Sequence, residues 1–276
     1  MKTEQNQIAT KSETWFSPQV ISVALAVCVL IGFGLGMGFG IGGSEVAAQV
    51  QERANADSAV LVELFTSEGC SSCPPADDNL KRLAELAKEK GLPIYTLSYH
   101  VDYWDYLGWK DVFSSAEASD RQRKYSTAFH SDRIYTPQFV VNGQWEFVGS
   151  NRTHTQEAIV KAMEEQYPTK LSVTAKTVGA NIQVQLSAPT LAPGNRLVVA
   201  LAQNAAKTKV ARGENARRTL QHVNIVRDFK ELNAKTAMNI KFTKPADFVD
   251  GGFHVLAYVQ SAKNMNLVAI QKAEIE

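Results

Sequence analysis

The sequence predicts an α/β domain followed by a β-rich, sandwich-like one. Three observations carry this prediction. An apolar run, Ala59-Val60-Leu61-Val62-Glu63-Leu64-Phe65, leads into Cys70-Ser71-Ser72-Cys73 and then into a helical pattern opened by Pro74-Pro75. Thr136-Pro137 stands near the start of a second apolar run. After Tyr167-Pro168 the texture changes to segments that alternate apolar and polar residues, as half-buried strands do.

The elements run in order along the chain. Residues 59–66 read as an apolar strand. Residues 76–90 place Leu80, Leu83, Leu86 and Ala87 at helical spacing. Residues 92–99 read as a second strand, parallel to the first because a helix joins them. Residues 101–135 form an aromatic and polar insertion, with a helix predicted over 117–129. Residues 138–142 and 145–148 flank Gly143-Gln144 as a hairpin. A helix over 155–166 comes next. Strand–helix–strand, insertion, strand–strand–helix is the thioredoxin plan, so residues 58–167 are expected to form a thioredoxin-like domain with a helical insertion. Residues 168–276 are expected to form the β-rich domain, with strands over 171–177, 181–187, 196–203, 238–242, 253–260 and 267–275. Turns such as Val178-Gly179-Ala180 and Asp250-Gly251-Gly252 separate them.

The N-terminus points to export. Residues 1–19 form a tail, and residues 20–43 contain no charged side chain, a length that suits one transmembrane helix. The alternative is a cleaved signal peptide, for which Val46-Ala47-Ala48 supplies small residues. A tail carrying both Lys2/Lys11 and Glu4/Glu13, and the length of the apolar run, favour an uncleaved anchor. Lys2 and Lys11 before the run against Arg53 after it give a faint positive-inside bias. Both readings export the globular part of the chain. That part is expected in the periplasm, held at the inner membrane or secreted there if the segment is cleaved. Residues 44–57 are small and polar and read as a linker. Gly32, Gly36 and Gly40 would let such helices approach closely, which suggests self-association. Cys28 lies inside the run and reads as a small apolar residue. A net charge of +1 gives no reason to expect a nucleic-acid partner.

Two thiols three residues apart, at a strand-to-helix turn, form the arrangement of a thiol–disulfide redox site. The helix N-terminus offers unpaired N–H groups and partial positive charge, which favour the reactive thiolate. Cys70 is the expected nucleophile and Cys73 the resolving residue, with a Cys70–Cys73 disulfide in the oxidising compartment outside the cytoplasm. Thr136-Pro137, expected to be a cis pair at the start of a strand, would face the cysteines and position a partner. Glu63 lies in an otherwise apolar strand. It is either a partly buried proton carrier for Cys73 or a residue pointing outward. His100 and Asp102, at the carboxyl end of the second strand, are candidates to tune the thiolate. A structural role for the cysteines is inefficient, since so short a loop gives only about 2 kcal/mol. No resident metal or cofactor is expected. Zinc would need two further ligands, and the histidines are scattered at 100, 130, 154, 222 and 254. Copper bound by Cys70, Cys73 and one histidine stays as an alternative, because soft thiolates select Cu(I). The polar stretch Arg212–Leu220 reads on composition as a solvated hairpin, or as a surface that docks the two domains or a partner.

The chain resembles a bacterial family of exported thioredoxin-like proteins known only as a domain of unknown function. The resemblance rests on Val62-Glu63-Leu64-Phe65-Thr66-Ser67-Glu68-Gly69-Cys70-Ser71-Ser72-Cys73-Pro74-Pro75-Ala76 and on His100-Val101-Asp102-Tyr103-Trp104-Asp105 with Leu107-Gly108-Trp109-Lys110-Asp111. Tyr135-Thr136-Pro137-Gln138, Val141-Asn142-Gly143, and Gly213-Glu214-Asn215-Ala216 with Arg218-Thr219-Leu220 complete it. It spans about residues 58–275 and implies a thioredoxin-like domain followed by a β-rich part, with no established substrate. Ordinary thioredoxins carry a Trp before the first Cys; here Gly69 precedes it and Ser-Ser separates the two.

The expected function is thiol–disulfide exchange in the cell envelope, with a protein or a small thiol or disulfide as the client. The alternatives are a redox-sensitive binding module and a copper-handling protein using the same cysteines.

Overall fold

The first strand, β1 (Val60–Thr66), is buried along its whole length, and its two faces organise the elements that pack on it. The computed structural model describes residues 43–188 and 191–276. The apolar run 20–43, with Cys28 and the spaced glycines, lies outside the described residues apart from Gly43. Among the described residues no helix is long and apolar enough to cross a membrane.

The chain order is α1 (Gly43–Arg53), β1, α2 (Pro74–Lys90), β2 (Ile94–His100), a short 3₁₀ turn (Asp105–Leu107), α3 (Ala116–Ala128), β3 (Gln138–Val141), β4 (Trp145–Val148) and α4 (Arg152–Met163). Seven strands complete it: β5 (Ser172–Val178), β6 (Asn181–Ser187), β7 (Arg196–Lys209), β8 (Thr219–Asn233), β9 (Ala237–Thr243), β10 (Phe253–Gln260) and β11 (Leu267–Glu274). Side chains alternate across a strand, so β1 divides its residues. Val60, Val62 and Leu64 pack with Leu80 and Leu83 of α2 and Ile159 of α4. Leu61 and Phe65 pack on the other face with Tyr125 of α3 and Tyr258 of β10. Each such fully buried side chain contributes about 1.5–3 kcal/mol. Ser115 caps α3 by accepting from Ala118 N–H, and Asn151 caps α4 by accepting from His154 N–H.

The fold is mixed α/β. An eight-stranded sheet has the order β11-β10-β7-β8-β2-β1-β3-β4, and a three-stranded sheet has the order β5-β6-β9. β1 runs parallel to β2 and antiparallel to β3. The β-rich segment lends β7, β8, β10 and β11 to the same sheet as β1, through a parallel pairing of Ser98 with Ile225. Ile182, Val184 and Phe242 of the small sheet close a further core with Val199, Val255 and Val259 of the large one.

Three segments differ from expectation. Most of the expected linker forms α1, because Val50 buries itself in the core with α2 and α4, and Arg53 pairs with Glu164. The expected strand 196–203 continues to Lys209 and pairs with β8, which was not expected as a strand. Together they make a long two-stranded ribbon whose register shifts after Leu201. The skipped residue breaks the alternation by which a strand is recognised. The stretch 212–220 is therefore the tip of this ribbon and the start of β8. It is not a freely solvated hairpin: Asn215 is fully buried.

Candidate functional site

Cys70 and Cys73 form a disulfide, with their Cα atoms 5.4 Å apart. The loop after β1 carries Cys70, and Cys73 is the N-cap of α2, with proline in the first helical turn. Proline suits that position because its missing N–H would have had no helical partner. Cys73 O accepts from the N–H groups of Ala76 and Asp77 at 2.8 and 3.1 Å. Neither cysteine exposes any surface (0 % each).

Buried polar residues surround this turn. Glu68, two residues before Cys70, takes the indole N–H of Trp109 on Oε2 at 2.8 Å. Its backbone N–H donates to Asp111 Oδ2 at 2.8 Å, and the same oxygen meets His100 Nδ1 at 2.7 Å. Burial works to raise the Asp111 carboxyl. His100 beside it and the N–H groups of Glu68 and Phe113 overcome this and hold it below the usual carboxylate range. His222, on β8, lies between Glu68 Oε1 and Asp77 Oδ1, 3.5 Å from each. These are ion-pair contacts rather than close hydrogen bonds, and both ring nitrogens lack a hydrogen-bond partner. Burial disfavours its imidazolium, yet the Asp77 and Glu68 carboxylates push its pKa up to about 10. The rings of His100 and His222 meet edge to face at 4.6 Å.

The tip of the β7–β8 ribbon closes over the turn. Glu214 Oε2 accepts from Ser71 N–H at 2.9 Å. Asn215 Nδ2 donates to the carbonyls of Glu68 and Cys70 at 2.9 Å each. Arg218 Nη1 donates to Asn215 Oδ1 at 2.7 Å.

The other sequence candidates fall in different places. The Thr136-Pro137 peptide is cis. Phe65 opposes Gln138 in the β1–β3 register, which brings Pro137 to the sheet end where β1 leads into the cysteine loop. Pro137 O accepts from Gly149 N–H, and Gly149 O accepts from Asn79 of α2. His100 sits opposite Thr66 at the same end. Asp102 bonds to Ser119 of α3 through both its N–H and its carboxylate, and so fastens the insertion. Glu63 lies on the face with Leu61 and Phe65, away from the α2 face. There it receives Arg121 at 2.7 Å, the Tyr258 hydroxyl at 2.9 Å and the Tyr125 hydroxyl. It is fully buried and committed to Arg121. The structure does not bring it to the cysteines.

Sequence reasoning missed Glu68, Asp77, Asp111, His222 and the roles of Glu214 and Asn215. Glu68, Asp111, Glu214 and Asn215 lie in the stretches that carry the family resemblance, and the polar density of 212–220 was a further local signal. Among the described residues no group of three or more His, Cys, Asp or Glu side chains is arranged to hold a metal ion.

Residues 61–260 match the family described as "Protein of unknown function (DUF1223)". No curated protein matches the chain. Among solved structures, a crystal structure of a protein from Agrobacterium tumefaciens is similar at TM-score 0.59 and 27% identity, covering 80% of this chain and 96% of that one. HBP35 of Porphyromonas gingivalis is similar at TM-score 0.53 and 15% identity, covering 80% of this chain and 76% of that one; that likeness concerns the fold alone.

Proposed function

The chain belongs to this family, and we propose that it is a thiol–disulfide oxidoreductase of the cell envelope built on a thioredoxin-like unit. The observation that carries the reading is the Cys70–Cys73 disulfide at the N-terminus of α2. The strand order β2-β1-β3-β4, with β1 parallel to β2 and β3 antiparallel to β1, supports the thioredoxin-like unit. The cis Thr136-Pro137 pair at the same sheet end supports a role in holding the partner. In the oxidising direction, a client thiolate bonds to Cys70 Sγ and the electron pair of the broken bond goes to Cys73. A second client thiolate then attacks the mixed disulfide and releases the Cys70 thiolate. The client loses two electrons and the centre gains them. The reverse sequence reduces a client disulfide, with Cys70 as nucleophile and Cys73 as resolving residue. The apolar run 20–43 supports placement at the inner membrane, with the globular part in the periplasm.

The test uses the full-length chain. Wild type, Cys70→Ser and Cys73→Ser are compared in insulin reduction and in repair of a scrambled disulfide protein. Wild type is expected to catalyse, Cys70→Ser to be inactive, and Cys73→Ser to accumulate a mixed disulfide with the client. Activity that survives Cys70→Ser would sink the reading.

A further inference from the structure

We propose that the tip of the β7–β8 ribbon is a latch over the redox centre: Asn215 positions the cysteine loop, and displacement of Glu214 from Ser71 admits the client thiol. The inference rests on the function proposed above and goes beyond it by naming the element that controls access.

The starting observation is that both cysteines have 0 % exposure. Thiol–disulfide exchange needs the attacking sulfur to reach a disulfide sulfur, so some element has to move before a client reacts. The ribbon tip touches the loop directly, from 145 residues away in the chain.

The two tip contacts differ in kind. Asn215 is fully buried, and its amide hydrogens go to Glu68 O and Cys70 O while its oxygen is held by Arg218. Opening it would strand the buried Glu68 carbonyl and leave Cys70 O with only the longer contact from Cys73 N–H, which is costly. It therefore keeps the loop in shape. Glu214 is solvent-exposed and is held at Ser71, whose N–H it accepts at 2.9 Å. Water can replace that contact at small cost. Glu214 is thus the part that opens, and the freed Ser71 N–H becomes a donor for the carbonyl of an incoming peptide. A cleft of about 170 Å³ separates the ribbon from the start of α2, lined by Pro74, Asp77, Asp78, Arg218 and Leu220. The cleft leaves space beside the tip near Pro74, while further along β8 Lys81 donates to Gln221 and His222 is buried against Asp77.

The latch is tested on the full-length oxidised chain with dithiothreitol as the reductant, so that no biological client is needed. Reduction of Cys70–Cys73 is timed in wild type, Glu214→Ala and Lys207→Ala, a control on β7 away from the tip. Backbone hydrogen exchange at Ser71 is read in parallel. Glu214→Ala is expected to be reduced a few-fold faster, the effect of losing one exposed, water-replaceable contact, with faster exchange at Ser71 and unchanged exchange in β1 and β2. Lys207→Ala is expected to match wild type. A Glu214→Ala rate equal to wild type overturns the latch, whatever Ser71 exchange does. If the dithiothreitol rate rises while no variant exchanges disulfides with insulin, the latch stands and the oxidoreductase reading falls.

Discussion

Arg121 and Glu63 meet at 2.7 Å inside the packed face of the large sheet, and neither side chain reaches solvent. The rings of Tyr99, Tyr125 and Tyr258 stand within 5.1–5.4 Å of the guanidinium. Gln260 accepts from Arg121 at 2.9 Å. The pair ties β1 to α3, and through Tyr258 and Gln260 to β10.

Replacing Arg121 with Met should leave Glu63 buried without its counter-charge. The unfolding free energy is expected to fall by about 3–5 kcal/mol. Glu63→Leu combined with Arg121→Met should recover part of that loss, since an apolar pair needs no compensation. Urea titration of the two variants measures both values. A single-variant loss below about 1 kcal/mol would contradict the pairing.

His222 should make stability fall in alkaline solution. Its pKa in the folded protein, about 10, lies above the ordinary 6.5. Its contribution is therefore complete below about pH 6.5 and is lost as pH rises through about 10. Denaturation midpoints of wild type should decline across that window. His222→Gln should be less stable at neutral pH and should lack this part of the decline. Parallel curves for the two proteins would show that His222 carries no charge between Glu68 and Asp77.

Reduction of Cys70–Cys73 should lower stability by only about 2 kcal/mol, because the loop it closes is short. Thermal unfolding of oxidised protein and of Cys70→Ser/Cys73→Ser gives the difference. Collapse of the fold in the double variant would assign the cysteines a structural role in place of a chemical one.

Gly143 joins β3 to β4 with a φ of +69°, and a Cβ there would collide with the Met265 carbonyl. Gly143→Ala should cost about 2 kcal/mol or more, combining backbone strain with the clash. Gly179 also has a positive φ, +56°, but nothing lies within 4 Å of an added Cβ. Gly179→Ala should cost only the conformational part, about 1 kcal/mol. Equal losses in the two variants would refute the close approach of Met265.

Much of the first half was legible because its signals are local. An apolar run beside helical spacing, and a Gly-Gln turn between short apolar runs, are complete within a few residues. They anticipated β1, α2, β2, β3 and β4 to within a few positions, and the cysteine pair at the helix start. β8 was missed because its register shift breaks alternation midway and because Arg227, Asp228, Lys230 and Glu231 interrupt its apolar positions. α1 was missed because, among its residues 48–53, Val50 is buried and the others are exposed, so those positions show no repeating apolar stripe. Glu63 was legible as a carboxylate in an apolar strand. The face it occupies was not, since period-2 alternation leaves both open until a partner such as Arg121 is placed.

By itself the sequence determined that Cys70-Ser71-Ser72-Cys73 sits at a strand-to-helix turn, and that a β-rich segment comes after it. Only the tertiary structure decided which residues surround that turn. The pairing of β8 with β2 brings His222 between Glu68 and Asp77 and sets Asn215 on the carbonyls of Glu68 and Cys70. Such contacts depend on sheet register between strands far apart in the chain. A shift of one residue would turn every side chain to the opposite face, and no local pattern in 219–233 encodes which register wins.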